Sequence, residues 1–239
     1  MGVDGSARSS AAAGDRMPSR RKGDRTREAI VGRAVAHACR VGLAGLTISS
    51  IATAVGMSKS GMYAHFGSKE AMQIAVLDAA ADEFSRTVLV PALSAPRGEA
   101  RVLDLVERWL TCGRTRQPGG CVIVKASSEL DERPGPVRDR LREHHLALDE
   151  SIARIVRGGI DDGQFRPDAD PAQFAHELYA TMLGFHHALR LLDDPQAEAR
   201  TRRSVAALLD AVRADGHESP ALASTRGGAA ETGSNEEDR

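Results

Sequence analysis

The chain has 239 residues, 41% apolar and 27% charged, which is enough for one medium or two small folded domains with an ample core. No run reaches the ~18 apolar residues of a membrane span, the polar, basic N-terminus lacks a signal peptide's apolar core, and three cysteines fit reduced thiols in a cytoplasm. The net charge of −1 hides an asymmetry: residues 20–69 carry nine Lys/Arg against Asp24 and Glu28, a surplus of +7. A basic head on an acidic body is the electrostatic footprint of a nucleic-acid binder.

Residues 1–22 are rich in Gly, Ser, Ala and Arg without periodicity and predict a disordered tail ending in Arg20, Arg21 and Lys22, a basic run suited to phosphates or a minor groove. Asp24 can cap a first helix whose apolar positions are Ile30, Val31, Ala34, Val35, Ala38 and Val41, closed by Gly42 and Gly45. Cys39 lies on it as a core residue. Thr47 is a good N-cap for a short helix with Ile48, Ile51, Ala52 and Val55 on one face. Gly56 stands where that helix must turn through a left-handed backbone. Ser58 caps the next helix, with Met57, Met62 and Phe66 inward and Lys59, Ser60, Gly61, Tyr63 and His65 outward. Every outward residue is small or can donate a hydrogen bond, and none is acidic. That is the layout of a helix-turn-helix reader of duplex DNA.

Ser68 caps a longer helix carrying Met72, Ala75, Val76, Ala79 and Ala80, expected to run to about Val90. A Pro/Gly loop over 92–98 follows, then a helix from Glu99 to about Arg114 with Val102, Leu105, Val106 and Trp109 periodic. Gln117-Pro-Gly-Gly120 breaks the chain before a short helix from Cys121 to about Leu130. Pro134 or Pro136 opens a long helix through Val137, Leu141, Leu148, Ile152, Ile155 and Val156. Asp170-Pro171-x-Gln173 reads as a capping box with proline at the first helical position. Phe174, Leu178, Met182, Phe185 and Leu189 form a helix seam behind it. A last helix with Val205, Leu208, Leu209 and Val212 runs to about Ala214, and residues 216–239 are again tail-like. No strand is needed. The prediction is all-α, with about nine helices.

Residues 58–71, Ser-Lys-Ser-Gly-Met-Tyr-Ala-His-Phe-Gly-Ser-Lys-Glu-Ala, resemble the recognition helix of the TetR family of bacterial transcriptional repressors. That pattern joins a cap, a basic or polar pair, Tyr-x-x-Phe, and a Ser-Lys-Glu opening the next helix. The resemblance spans about residues 25–75. Gly-Cys-Val-Ile-Val at 120–124 and Glu-Leu-Asp-Glu-Arg-Pro-Gly-Pro-Val-Arg at 129–138 are similar to one branch of the family's regulatory domains.

The resemblance implies a DNA-binding head over 23–69 and a helical effector-binding and dimerisation body over 70–215. In the head it implies that Thr47, Ser49, Tyr63 and Lys69 hold the phosphate backbone. It places Lys59, Ser60, Gly61 and His65 nearest the base edges, and Lys59 suits guanine O6 and N7. Thr47, Ser58 and Ser68 cap helices that start at the reading surface, where free N–H groups favour phosphate. In the body, Phe84, Trp109, Cys112, Cys121 and Tyr179 are interior by periodicity, either plain core or the wall of an effector pocket. The Phe174, Leu178, Met182, Phe185 and Leu189 seam, with Val205 and Leu209, reads as a dimer contact or as core within one chain.

No cofactor or metal is expected. The histidines at 144–145, 176 and 186–187 place no two on one helix face, so surface or satisfied histidines are the commoner reading. Cys112 and Cys121 lie across a Pro-Gly-Gly loop, where a redox disulfide is geometrically open. There is no phosphate-cradling loop, nucleophile elbow or metalloprotease motif. Asp131 and Glu132 read as solvated helix-end charge rather than an acid/base pair. The expectation is therefore no enzyme but a repressor, dimeric on palindromic double-stranded DNA and released by an unknown small-molecule effector. An architectural DNA-binding protein and a metabolite-binding helical protein are the rivals.

Overall fold

The computed structural model describes residues 17–115 and 119–217. Among them are nine helices and no strand longer than an isolated bridge between Phe165 and Arg213. They are α1 (Met17–Val41), α2 (Ile48–Val55), α3 (Lys59–Phe66), α4 (Lys69–Phe84), α5 (Glu99–Thr115), α6 (Val122–Leu130), α7 (Pro136–Asp161), α8 (Pro171–Arg190) and α9 (Ala197–Val212). No described helix is long and apolar enough to cross a membrane.

One boundary and one cap differ from the sequence reading. Helix α1 begins at Met17, ahead of Asp24, so the helix takes in the end of the expected tail; residues 1–16, 116–118 (with Gln117 and Pro118 of the predicted chain break) and 218–239 lie outside the described residues. Asp170 caps α8 by accepting from the amides of Ala172 and Gln173 at 2.9 and 3.1 Å. The reciprocal half of the capping box is not made, because Gln173 Nε2 reaches forward to Glu177 at 2.8 Å.

Helix α4 continues through a π turn at Ser85–Leu89 into Val90–Ala92. Pro91 gives the physical reason. It has no N–H to donate, and its ring crowds the carbonyl four residues back, so the ladder widens ahead of it.

The apolar side chains form two cores. One joins Ile30, Leu43, Ile51, Met62 and Phe66 of the head to Val76, Val122 and Leu141 of α4, α6 and α7. The other packs α5, α7, α8 and α9 around Leu105, Ile152, Phe174 and Leu178. The reading head therefore shares its core with helices beyond residue 69, and α4 and α7 run through both cores.

The body is closed at one corner by a buried ion pair. Arg213, beyond the end of α9, donates from Nε and Nη to both carboxylate oxygens of Glu99 at 3.0 and 2.8 Å, and Glu99 is 1% exposed.

Candidate nucleic-acid interface and effector cavity

The reading head is built by three caps. Thr47 Oγ1 accepts from the Ser50 amide at 3.0 Å while Ser50 Oγ accepts from the Thr47 amide at 3.2 Å, closing a reciprocal box on α2. Ser58 Oγ accepts from Gly61 at 3.1 Å and Ser68 Oγ from Ala71 at 3.0 Å. Each cap satisfies the third amide of its helix, and the amides ahead of it have no partner within the helix. Gly56 ends α2 at φ 68°, the left-handed turn that aims α3 away from α2.

On α3, Met62 and Phe66 are buried and Arg27 sits over the Phe66 ring at 5.1 Å. This fixes the rotation of the recognition helix. It turns Lys59, Ser60 and Tyr63 outward, Tyr63 with 53% of its surface exposed, while Gly61 and His65 are half-buried at the edge. A side chain at Gly61 would meet Ser58 Oγ and Met57 Cε at 3.3 Å, crowding the cap. Ser49 is exposed beside Thr47, at the start of α2. Lys69 is exposed, and its Nζ donates to the carbonyl of Ala44 at 3.2 Å, so it braces the head as well as facing solvent.

The five pocket candidates come together. Phe84, Trp109, Cys112, Cys121 and Tyr179 all line one cavity of about 270 Å³ in the body. Phe84 meets Trp109 edge-on at 5.0 Å, Trp109 lies tilted on Tyr179 at 6.4 Å, and Tyr179 meets His145 edge-on at 5.4 Å. Burial raises the Tyr179 phenol well above its ordinary value, so it stays protonated. A wider groove of about 1270 Å³ runs between α1, α4 and α5, but it is open and rimmed by Arg27, Glu28, Glu83 and Glu107. Its mixed charge and openness make it the poorer ligand site.

Three histidines that read as surface or satisfied residues, His144, His145 and His186, line the cavity. His145 Nε2 lies 2.9 Å from Ser127 Oγ, whose one hydrogen goes to the Ile123 carbonyl at 2.9 Å. The imidazole is therefore the donor, and burial lowers its pKa and keeps it neutral. His186 Nε2 is buried with no hydrogen-bond partner among the described residues. The neighbouring His144 instead joins Arg140 on Asp78, at 2.8 and 2.6 Å, pinning α7 to α4. Burial of Asp78 is outweighed by these two partners, and its carboxyl stays below its usual range.

Of the two readings of the dimer candidates, packing within the chain accounts for their burial. Phe174, Leu178, Met182, Phe185, Val205 and Leu209 are buried inside a single chain, and the half-buried Leu189 packs on the same core. A seam of spacing three and four marks a helix that packs on something; it does not say whether the something is the same chain.

Helix α6 joins the two sites. Its cap Cys121 and its residues Ile123 and Val124 line the cavity. Further along the helix, Lys125 Nζ donates to the carbonyl of Cys39 at 2.7 Å, and Glu129 Oε2 accepts from the Ala44 amide at 2.7 Å. Gln73 of α4 adds a buried bond to the Leu43 carbonyl at 2.8 Å. None of these three polar ties has a pattern that sequence could show, since each joins residues at least 30 positions apart.

Comparison with known proteins agrees with this architecture. The family model described as bacterial regulatory proteins, tetR family, matches residues 30–76, and the one described as tetracyclin repressor-like, C-terminal domain, matches residues 98–205. The chain belongs to the TetR family of bacterial transcriptional regulators. A TetR transcriptional regulator from Chloroflexus aurantiacus is 29% identical with a TM-score of 0.72, covering 81% of this chain and 99% of its own. A TetR-family regulator from Cytophaga hutchinsonii (23%, TM-score 0.70, 80% and 96% covered) and the reduced form of NemR from E. coli (19%, 0.69, 80% and 99%) share the fold. No curated protein matches the chain in a sequence comparison. In this TetR-family regulator the first match takes in the second half of α1, all of α2 and α3 and the first half of α4, and the second match takes in α5 to α8 and the first part of α9.

Proposed function

We propose that this regulator is a homodimeric repressor that grips a palindromic operator through α3 and is released when a small molecule enters the cavity of the body. Lys59 and Ser60 face the base edges. Thr47, Ser49 and Tyr63, with the first amides of α2 and α3, hold the phosphates. One eight-residue recognition helix reads only a few base pairs, so adequate affinity calls for two copies on a two-fold site.

The single observation that carries the effector reading is the path of α6, with one end on the cavity wall and the other bonded to the end of α1 and to Ala44. A ligand releases DNA only by binding the two states of the protein with different affinity. A ligand that displaces Cys121 or Val124 moves the helix that holds the head, and so has a route to that difference. An architectural protein has no use for such a cavity. With the Phe174–Leu209 seam spent inside the chain, the dimer contact falls on the outer faces of α8 and α9. Ala180, Gly184, Ala207 and Ala211 are exposed there and permit close approach.

Selection of the purified protein from a random duplex pool at near-physiological salt tests the reading. The expected outcome is an enriched palindrome bound by two chains, with Ala180→Arg yielding a monomer by sedimentation that no longer holds the palindrome. Sequence-blind, salt-sensitive retention would instead establish an architectural binder.

A further inference from the structure

The ligand's chemistry is restricted by the walls of the cavity. Tyr179, Met182, Leu183 and His186 stand at i, i+3, i+4 and i+7 on α8, so one face of one helix lines the cavity with two polar ends and an apolar middle. With a rise of 1.5 Å per residue, the two polar residues are rooted about 10 Å apart.

At one end, His186 Nε2 is buried without a partner among the described residues, and a side chain at Gly120 would meet it at 3.0 Å. A buried polar atom left unmet is costly, and a ligand atom that meets it removes that cost. At the other end, the Tyr179 phenol remains a donor. Trp109 stands beside Tyr179 with Phe84 beyond it, Met182 and Leu183 lie between the two polar residues along the helix, and Leu148 is also on the wall.

Charge decides the class. Among the described lining residues there is no lysine or arginine, and the carboxylate of Asp82 sits on an exposed residue at the rim. An anionic ligand would lose its hydration and meet no cation in the wall itself, since Arg190 and Lys125 beside His186 donate to the carbonyls of Gly113 and Cys39. Size agrees: a dry cavity of about 150 Å³ accepts benzene, so 270 Å³ has room for a second ring.

We infer that the cavity binds an uncharged, flat molecule of one or two aromatic rings with hydrogen-bonding atoms at both ends, one meeting His186 Nε2 and the other the Tyr179 hydroxyl. This names the ligand class for the effector site proposed above, and rests on that assignment of the cavity.

Calorimetric titration of the full chain with three probes of one shape tests it: 2,6-dihydroxynaphthalene, naphthalene, and naphthalene-2,6-dicarboxylate. The diol is expected to bind once per chain, about tenfold or more tighter than naphthalene, with no binding of the dicarboxylate. It should also quench Trp109, the chain's one tryptophan. His186→Leu and Tyr179→Phe should each weaken the diol by about 3- to 10-fold and leave naphthalene unchanged. Equal affinity for diol and naphthalene, preference for the dicarboxylate, or diol binding indifferent to both substitutions would overturn the inference. The three-probe comparison on the unaltered chain decides the matter even if a variant fails to fold.

A second readout on the selected duplex separates the two proposals. A diol that binds without loosening the DNA keeps the ligand class and overturns the effector role. A dicarboxylate that loosens the DNA while the diol does not bind overturns the ligand class and keeps the effector role.

Discussion

Lys125 of α6 donates from Nζ to the carbonyl of Cys39 at 2.7 Å, and also lies 3.4 Å from that of Arg40. The bond ties the helix that walls the cavity to the last turn of α1, whose orphan carbonyls a cation suits. Glu129 holds the Ala44 amide two residues beyond the glycine that ends that turn. Gly42 there has φ +81°, and the Glu129 carboxylate occupies the space a side chain would need. A cation and an anion on one short helix thus grip a carbonyl and an amide on either side of the same turn.

Lys125→Met is therefore expected to cost about 1–2 kcal/mol in urea denaturation, the range of a hydrogen bond to a charged group at a half-exposed site. It should reduce the ligand-induced loss of DNA affinity more than it reduces DNA affinity itself. An unchanged ligand response, read by titrating labelled operator, would show that the signal takes another route.

Lys59 and Lys69 should separate cleanly. Lys59→Ala removes an exposed side chain on the reading face, and a loss of about 1–3 kcal/mol in specific binding is expected with the thermal midpoint unmoved. Lys69→Ala also breaks the bond to the Ala44 carbonyl, so its thermal midpoint should fall along with the salt dependence of DNA binding. Identical melting curves for the two variants would mean that the Ala44 contact contributes nothing.

Glu99→Gln tests the corner of the body. Removing one partner of a buried bidentate pair leaves the Arg213 guanidinium only partly compensated, and a cost of about 3–5 kcal/mol is expected in the same denaturation experiment. Asp210, which also pairs with Arg213, is mostly exposed, so Asp210→Asn should change stability by less than about 1 kcal/mol.

The cavity histidines make stability depend on pH. Burial lowers both His145 and His186 below the ordinary 6.5; Asp149 opposes the shift at His145 while His144 adds to it, and Arg190, Lys125 and His187 add to that at His186. The unfolded chain therefore binds more protons than the folded one just below pH 6.5, so stability is present above that value and is lost as pH falls through the folded pKa values. Urea midpoints measured from about pH 7 down to 5 should decline, and His186→Leu should flatten the decline. A parent chain with no slope in that window would rule out neutral, buried imidazoles.

Much of the reading head was legible because its signals are local. Thr47, Ser58 and Ser68 cap helices that begin one residue later, and Gly56 adopts the left-handed turn that its place between two apolar faces demands. The outward set on α3 follows from a 3.6-residue period once Met62 and Phe66 are inward. The cavity residues were legible only in part. Periodicity puts Phe84, Trp109, Cys112, Cys121 and Tyr179 inside, but the same pattern fits solid core, and nothing local distinguishes an empty interior from a filled one.

By itself the sequence determined the helices, their caps, the chemistry of the DNA-facing surface and the basic character of the head, since each depends on residues within a few positions of one another. Tertiary structure alone decided that the Phe174–Leu209 seam closes on its own chain and that His186 Nε2 is left without a hydrogen-bond partner among the described residues. It also decided that Lys125 and Glu129 reach back 86 and 85 residues to the head. Those outcomes depend on which helix faces which, and an apolar stripe specifies that it must be covered without specifying by what.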